Sequence, residues 1–341
     1  MDLVTDPRLR ELIELLEPLV AANPAPAVRQ RPADPAEREA WFADVAELRA
    51  KQQAQMGEVS TPTAEGLDIT EVTIPVTGSC GWSGCDQCTT GSINAIVYRP
   101  VGSSAAPAYV HFHGGGFWTL GGLQALRASA PAHIARALEL GVVVVDVDYR
   151  LAPTHKFPMI PEDCYTALTW VVANADQLGV DPARLAVGGG SAGGALTATV
   201  TLLSRDRGGP ALAAQVLHIP MTDSSCNSPS MRQLATGYTM TYQHAVDIWD
   251  MYLAAPVDAY DPYASPIRAR SLRGLPPALV VLGDYDVLRD EGAAYGQRLV
   301  EDGVTVTLRR LPQTHGAILP ESTAETERLI NEHLRTHLLR A

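Results

Sequence analysis

The sequence predicts an α/β protein built on a mostly parallel sheet with helices on both faces, and two observations carry that reading. From about residue 108 onward, short apolar runs alternate with longer segments of helical periodicity. Some of these runs are apolar throughout, as in Val142, Val143, Val144 and Val145, which marks strands buried on both faces. A chain of 341 residues with 46% hydrophobic content can build one large core domain, with or without a lid.

At the N-terminus Leu9, Leu12, Ile13, Leu16, Leu19 and Val20 recur at helical spacing, and Pro24 and Pro26 stop the pattern. Asp34 as N-cap, Pro35 at the first position and Glu37 in the first turn announce a second helix, with Trp41, Val45 and Leu48 on one face. Both helices need an apolar surface to cover, either as a lid or on the sheet. Strands follow at 71–76 and 93–98, joined by 16 residues that contain Cys80, Cys85 and Cys88. The alternating part then places strands at 108–113, 142–148, 184–188, 215–219, 278–283 and 304–308. Helices are expected between and after them at 124–140, 161–175, 192–204, 291–301 and 322–339.

The interval from Met221 to about Pro262 breaks the alternation, and Tyr238, Tyr242, Ile248, Trp249 and Tyr252 fall in it. Insertions after the strands of an open α/β sheet sit above their carboxyl ends, where ligands bind. Together with the N-terminal helices this insertion is a candidate cap.

An excess of 38 acidic over 26 basic residues gives a formal charge of −12, which disfavours nucleic acid or an anionic membrane as partner. The first residues lack the basic and apolar regions of a signal peptide, and no stretch approaches a membrane span, so a cytoplasmic protein is expected. There are five cysteines, and none need be bridged in a reducing compartment. The C-x4-C-x2-C spacing of Cys80, Cys85 and Cys88 would suit a metal or iron–sulfur cluster only with a fourth ligand, and Cys164 and Cys226 stand in other elements. Free thiols are expected there, with a disulfide as the alternative.

The chemistry centres on Gly188-Gly189-Gly190-Ser191-Ala192-Gly193-Gly194, which leaves an apolar strand and enters a helix. Glycines two places before and after a serine fit the sharp strand-turn-helix elbow that exposes a nucleophile. Gly188, Gly190 and Gly193 also spell G-x-G-x-x-G, but the next strand candidate ends in Pro220 rather than in the acid a dinucleotide site requires.

A serine nucleophile needs a base, a carboxylate to orient that base, and amide donors for the oxyanion. The run His113-Gly114-Gly115-Gly116-Phe117-Trp118, directly after a strand, offers bare amides, and the Ala192 amide would add another. The carboxylate should follow the strand at 278–283, where Asp284 and Asp286 are both candidates, with Asp290 and Glu291 reading as first-turn helix residues. Of the nine histidines, only His315 lies in a loop after the last strand, where the base belongs in Ser-acid-His order. His113, His155, His218 and His244 read as strand or cap residues, and His333 and His337 as residues of the terminal helix.

At these residues the chain resembles the hormone-sensitive-lipase-like bacterial carboxylesterases of the α/β-hydrolase superfamily. The resemblance is carried by His113-Gly-Gly-Gly116, Asp148-Tyr-Arg-Leu-Ala-Pro153, the elbow around Ser191, Ser265-Pro266, Asp286-Val-Leu-Arg-Asp-Glu-Gly292 and His315-Gly316. It implies an α/β-hydrolase fold with a mostly parallel eight-stranded sheet and a helical cap. The implied division is 1–60 for the N-terminal cap helices, 61–220 and 263–341 for the core, and 221–262 for the cap segment. It also implies Ser191 as nucleophile, His315 as base, Asp286 rather than Asp284 as acid, and Gly115, Gly116 and Ala192 as oxyanion hole.

The implied activity is hydrolysis of carboxylic esters of short to medium acyl chains through an acyl-enzyme, with no metal or organic cofactor. Amide, lactone or carbamate hydrolysis, or acyl transfer, would use the same triad. A non-catalytic receptor on the same fold is the other alternative, and the presence of His315 speaks against it. Phe117, Trp118, Tyr238 and Trp249 are candidate substrate-pocket residues, and a homodimer is the candidate assembly. Two departures stand out: Gly190 precedes the nucleophile and Thr154 follows Pro153, where relatives commonly carry acidic residues.

Overall fold

The computed structural model describes residues 3–22, 34–76 and 89–339. Cys80, Cys85 and Cys88 lie outside these, and the fate of their thiols with them; Cys164 and Cys226 are buried free thiols. Two helices open the chain, α1 (Pro7–Ala22) and α2 (Pro35–Met56). Asp34 caps α2 as its position suggests, its carboxylate accepting the amides of Ala36 and Glu37 at 2.8 and 3.1 Å.

The strands are β1 (Leu67–Val76), β2 (Gly91–Pro100), β3 (Ala106–Phe112), β4 (Val143–Asp148), β5 (Val180–Gly190), β6 (Ala214–His218), β7 (Ala278–Gly283) and β8 (Val306–Leu311). They form one eight-stranded sheet in the order β1-β2-β4-β3-β5-β6-β7-β8. β2 pairs antiparallel with β1 and β4, and every other pairing is parallel. The expected mostly parallel sheet is therefore present. Several strands outrun the apolar patterns. Residues such as Asp68 and Thr70 carry no apolar signal, yet they stay in register with Arg99 and Val97. The last strand is displaced toward the C-terminus because Arg309 and Arg310, exposed on the sheet edge, still pair with Val281 and Leu282 of β7.

The remaining helices are α3 (Leu123–Leu140), α4 (Met159–Ala173), α5 (Ala175–Leu178), α6 (Ala192–Asp206), α7 (Pro229–Gln233), α8 (Tyr242–Tyr252), α9 (Arg289–Glu301) and α10 (Pro320–Leu338). One sheet face packs Tyr98, Tyr109, Val144 and Val216 against Leu126 and Ala137 of α3 and Leu329 and Leu334 of α10. On the other face, α6 and α9 bury Leu202, Tyr295 and Leu299 against β6 and β7, and α4 buries Ile160, Leu168 and Val171 with Val110, Val145 and Val187. Leu9, Ile13, Trp41 and Val45 of the first two helices join Ile248, Trp249 and Met251 of α8 in a cluster continuous with the core. Fully burying each such side chain contributes about 1.5–3 kcal/mol, so these segments are held by apolar packing on the carboxyl ends of the strands. The helical cap is thus part of the fold. No helix among the described residues is long and apolar enough to cross a membrane.

Candidate active site

Ser191 stands between the last residue of β5 and the first of α6 with φ 55° and ψ −117°, a conformation side chains rarely adopt. The turn is held on both sides, since the Ser191 amide donates to the His218 carbonyl at 2.9 Å and its own carbonyl accepts the Met221 amide at 3.2 Å. A methyl group at Gly189 or Gly193 would be driven into the Phe112 carbonyl oxygen, which is the steric reason for glycine at both positions. Gly190 is different: a Cβ there would meet His218 Nδ1 at 3.5 Å, an ordinary contact, and the turn does not demand a glycine.

His315 Nε2 lies 2.8 Å from Ser191 Oγ, and His315 Nδ1 lies 2.8 Å from Asp286 Oδ2. A carboxylate on Nδ1 places the proton there and leaves Nε2 to accept from the serine hydroxyl. Asp286 is buried after β7, and its second oxygen accepts the Leu288 amide at 2.8 Å. Asp284 instead accepts Arg310 Nε at 2.8 Å on the surface, so geometry separates the two acids that sequence spacing left open. Asp290 and Glu291 do sit in the first turn of α9. Glu291 is also buried and takes the Thr222 and Asp223 amides at 2.7 and 3.1 Å, fixing the chain as it leaves β6.

The glycine run after β3 is pinned from below and above. Tyr149 Oη donates to the His113 carbonyl at 2.7 Å, and its ring stacks on His113 with centroids 4.1 Å apart. From α2, Arg49 donates to the carbonyls of Trp118 and Ala152 at 3.0 and 2.6 Å, and Gln52 accepts the Thr119 hydroxyl at 2.7 Å. Gly115 and Gly116 take positive φ, 95° and 58°. A side chain at Gly115 would collide with the Thr119 carbonyl, and one at Gly116 would come within 2.9 Å of Ile248. Gly114 packs directly beneath Ser191, its ideal Cβ position 3.6 Å from Ser191 Cβ.

A cavity of about 540 Å³ opens over Ser191 and His315, with Gly114, Gly115 and Gly116 along one side. Its apolar walls are Trp118, Leu120, Ile219, Met240 and Ile248. Of the four aromatic residues expected here, only Trp118 lines the cavity. Phe117 is fully buried and stacks on Tyr252 at 4.0 Å, Trp249 lies against the same pair, and Tyr238 stacks on Tyr285 at 6.5 Å. Helical spacing marks an apolar face but not whether it meets substrate or core.

Thr154 is exposed and does not line the cavity. His218, read from sequence as a strand histidine, lines the cavity with Ser191; burial first and the nearby His315 second push its pKa down to about 4. Its signal was its place at the carboxyl end of β6. His113 and His244 line or support the site from a strand end and a helix cap, His155 lies in the turn before α4, and His333 packs against His337 in α10.

The α/β-hydrolase-fold family model matches residues 109–319. The chain is 38% identical over 309 residues to the carboxylic ester hydrolase LipN of Mycobacterium tuberculosis, covering 87% of this chain and 77% of that protein. It is 40% identical over 211 residues to an arylesterase of Saccharolobus solfataricus, covering 61% of this chain and 67% of the relative. Among solved structures, a thermostable esterase from Pseudomonas putida superposes with a TM-score of 0.77 at 31% identity, over 99% of each chain.

Proposed function

This chain belongs to the α/β-hydrolase-fold family and is a carboxylesterase related to its hormone-sensitive-lipase-like members; from that premise we propose which residues carry the hydrolysis and how. His315 Nε2 takes the proton of Ser191 Oγ as the oxygen attacks the ester carbonyl carbon. The tetrahedral oxyanion is held by the amides of Gly115, Gly116 and Ala192. When the intermediate collapses, the carbonyl–oxygen bond to the alcohol breaks and His315 gives its proton to the leaving alkoxide. Water, deprotonated by His315, then adds to the acyl-enzyme, and the second collapse returns the proton to Ser191 and releases the acid. Asp286 stays ionised throughout and stabilises the imidazolium.

The observation that supports this assignment best is the hydrogen-bonded chain Ser191–His315–Asp286, with 2.8 Å at each link, at the floor of the apolar cavity. A cavity of about 540 Å³ with apolar walls favours short to medium acyl groups. Residues 1–60 and 221–262 act as the cap in this reading, and 61–220 with 263–341 as the core. A cytoplasmic location and a homodimer complete the proposal, to be checked by fractionation and sedimentation.

Ser191→Ala should lower kcat on short p-nitrophenyl esters by at least about 10⁴-fold with an unchanged circular dichroism spectrum. Wild-type turnover in that variant would remove Ser191 from the mechanism.

A further inference from the structure

A second cluster of chemical groups lies beneath α3. Asp146 of β4 is fully buried, His133 of α3 is 3% exposed, and His111 of β3 reaches them from the neighbouring strand. His111 Nδ1 is 2.7 Å from Asp146 Oδ1, His133 Nε2 is 3.3 Å from Asp146 Oδ2, and the two imidazole centroids are 4.6 Å apart. One donor atom from each residue falls within 4.8 Å of the others.

The histidine of α3 is the odd member. Neither of its ring nitrogens makes a hydrogen bond among the described residues, although the side chain is almost wholly enclosed. Buried imidazole nitrogens are ordinarily satisfied. Nε2 stands at ion-pair distance from Asp146 without the alignment an N–H···O bond requires. A cation between the groups needs only that the lone pairs converge on one point.

We infer that His111, His133 and Asp146 form a binding site for a divalent first-row transition metal, with Zn²⁺ the leading candidate. Two imidazoles and one carboxylate are donors that suit such ions. Tetrahedral ligand bonds of about 2.0–2.2 Å place donors about 3.3–3.6 Å apart, so the His111–Asp146 pair at 2.7 Å must open by about 0.6–0.9 Å and the donors, now within 4.8 Å of one another, must settle around one point. The outer contacts are those of a supported ligand: the Ser129 hydroxyl donates to Asp146 Oδ2 at 3.1 Å, and the Tyr98 ring lies 5.5 Å from that of His133. The group opens into a cavity of about 190 Å³, which leaves room for a water ligand. Arg136 lines that cavity too, but its charge is taken by Glu327 and its Nε by Asn331.

His111, Gly190 and His218 line both this cavity and the one over Ser191, so the two share a wall at the position where Gly190 carries no side chain. The cluster shares no residue with the Ser191–His315–Asp286 chain. The ion would tie α3 to β3 and β4, and the ester chemistry proposed above does not require it.

The test is a Co²⁺ titration of untagged, chelator-dialysed full-length protein, alone and as His133→Gln and Asp146→Asn. The expected result is about one equivalent bound, with the weak visible bands of nitrogen and oxygen ligands, and affinity at least about 100-fold lower in each variant. Absence of stoichiometric uptake, undiminished binding in the variants, or the intense near-ultraviolet bands of cobalt–thiolate bonds, which would point to Cys80, Cys85 and Cys88, would each overturn it. Should either variant fail to fold, X-ray absorption on the Zn²⁺-loaded wild type decides without substitution: two imidazole scatterers support the site, and none or sulfur scatterers overturn it.

Discussion

The Gly316 amide donates to the Thr239 hydroxyl at 3.1 Å, joining the loop that carries His315 to the segment that roofs the cavity. Thr314 strengthens the joint, since its hydroxyl lies 3.0 Å from that of Thr239 and accepts the Ala317 amide at 2.7 Å. Thr239 itself is held at φ 71°, a costly conformation for a β-branched residue. The roof thus holds the loop of His315 as well as lining the cavity.

Thr239 also lines the cavity, so the replacement must keep its shape while removing the hydroxyl that holds the His315 loop. Thr239→Val keeps the branched shape, and kcat is expected to fall about 10-fold with little change in KM, because misplacement of a catalytic group acts on the chemical step. Steady-state kinetics on a short ester measure the split, and an equal loss confined to KM would contradict a positioning role.

The two acids after β7 should behave very differently. Asp286→Asn leaves the geometry but no longer fixes the imidazole tautomer, so kcat should drop by about 10³–10⁴-fold. Asp284→Asn loses only a surface pair with Arg310 and should stay within about 2-fold of wild type. Comparable losses in both variants would reopen the choice between them.

Around the elbow, the available space predicts opposite outcomes for the glycines on either side of Ser191. Gly193→Ala forces a methyl into the Phe112 carbonyl, and the cost should exceed about 3 kcal/mol of stability. Gly190→Ala meets only His218, at van der Waals distance, so its unfolding free energy from urea titration should stay within about 0.5 kcal/mol of wild type.

His218 and His333 give the protein an acid limit, because burial pushes the pKa of each down to about 4. In the unfolded chain histidine titrates near about 6.5, so below that pH the unfolded state binds protons the folded state refuses. Their stabilisation is therefore complete above about pH 6.5 and is lost as pH falls toward and through about 4. Each contributes at most roughly 3 kcal/mol by this linkage, less for His218, which is partly open to the cavity. His218→Gln should flatten the difference in unfolding free energy between pH 4.5 and pH 7.5; an unchanged difference would mean that His218 is not titrating in this window.

Much of this was legible in the residues. The Asp34 cap, the glycines around Ser191 and the apolar runs of β3 to β7 all obey rules acting within a few positions, and a sequence displays such neighbours directly. The family motifs added the eight-stranded sheet with its cap. What the chain did not display was pairing across long separations.

Asp284 and Asp286 are equivalent by spacing, and only the fold brings His315 to one and Arg310 to the other. Phe117, Tyr238 and Trp249 carry the same apolar signal as Trp118, and which of them faces the cavity depends on how α8 settles over the sheet. His111, His133 and Asp146 are unremarkable apart in the sequence and become a cluster only when β3, β4 and α3 are laid together. Local sterics and hydrogen bonds within a turn are properties of adjacent residues, so the sequence alone determined the elbow and its serine; the selection of partners across the sheet is a property of packing, and tertiary structure alone decided it.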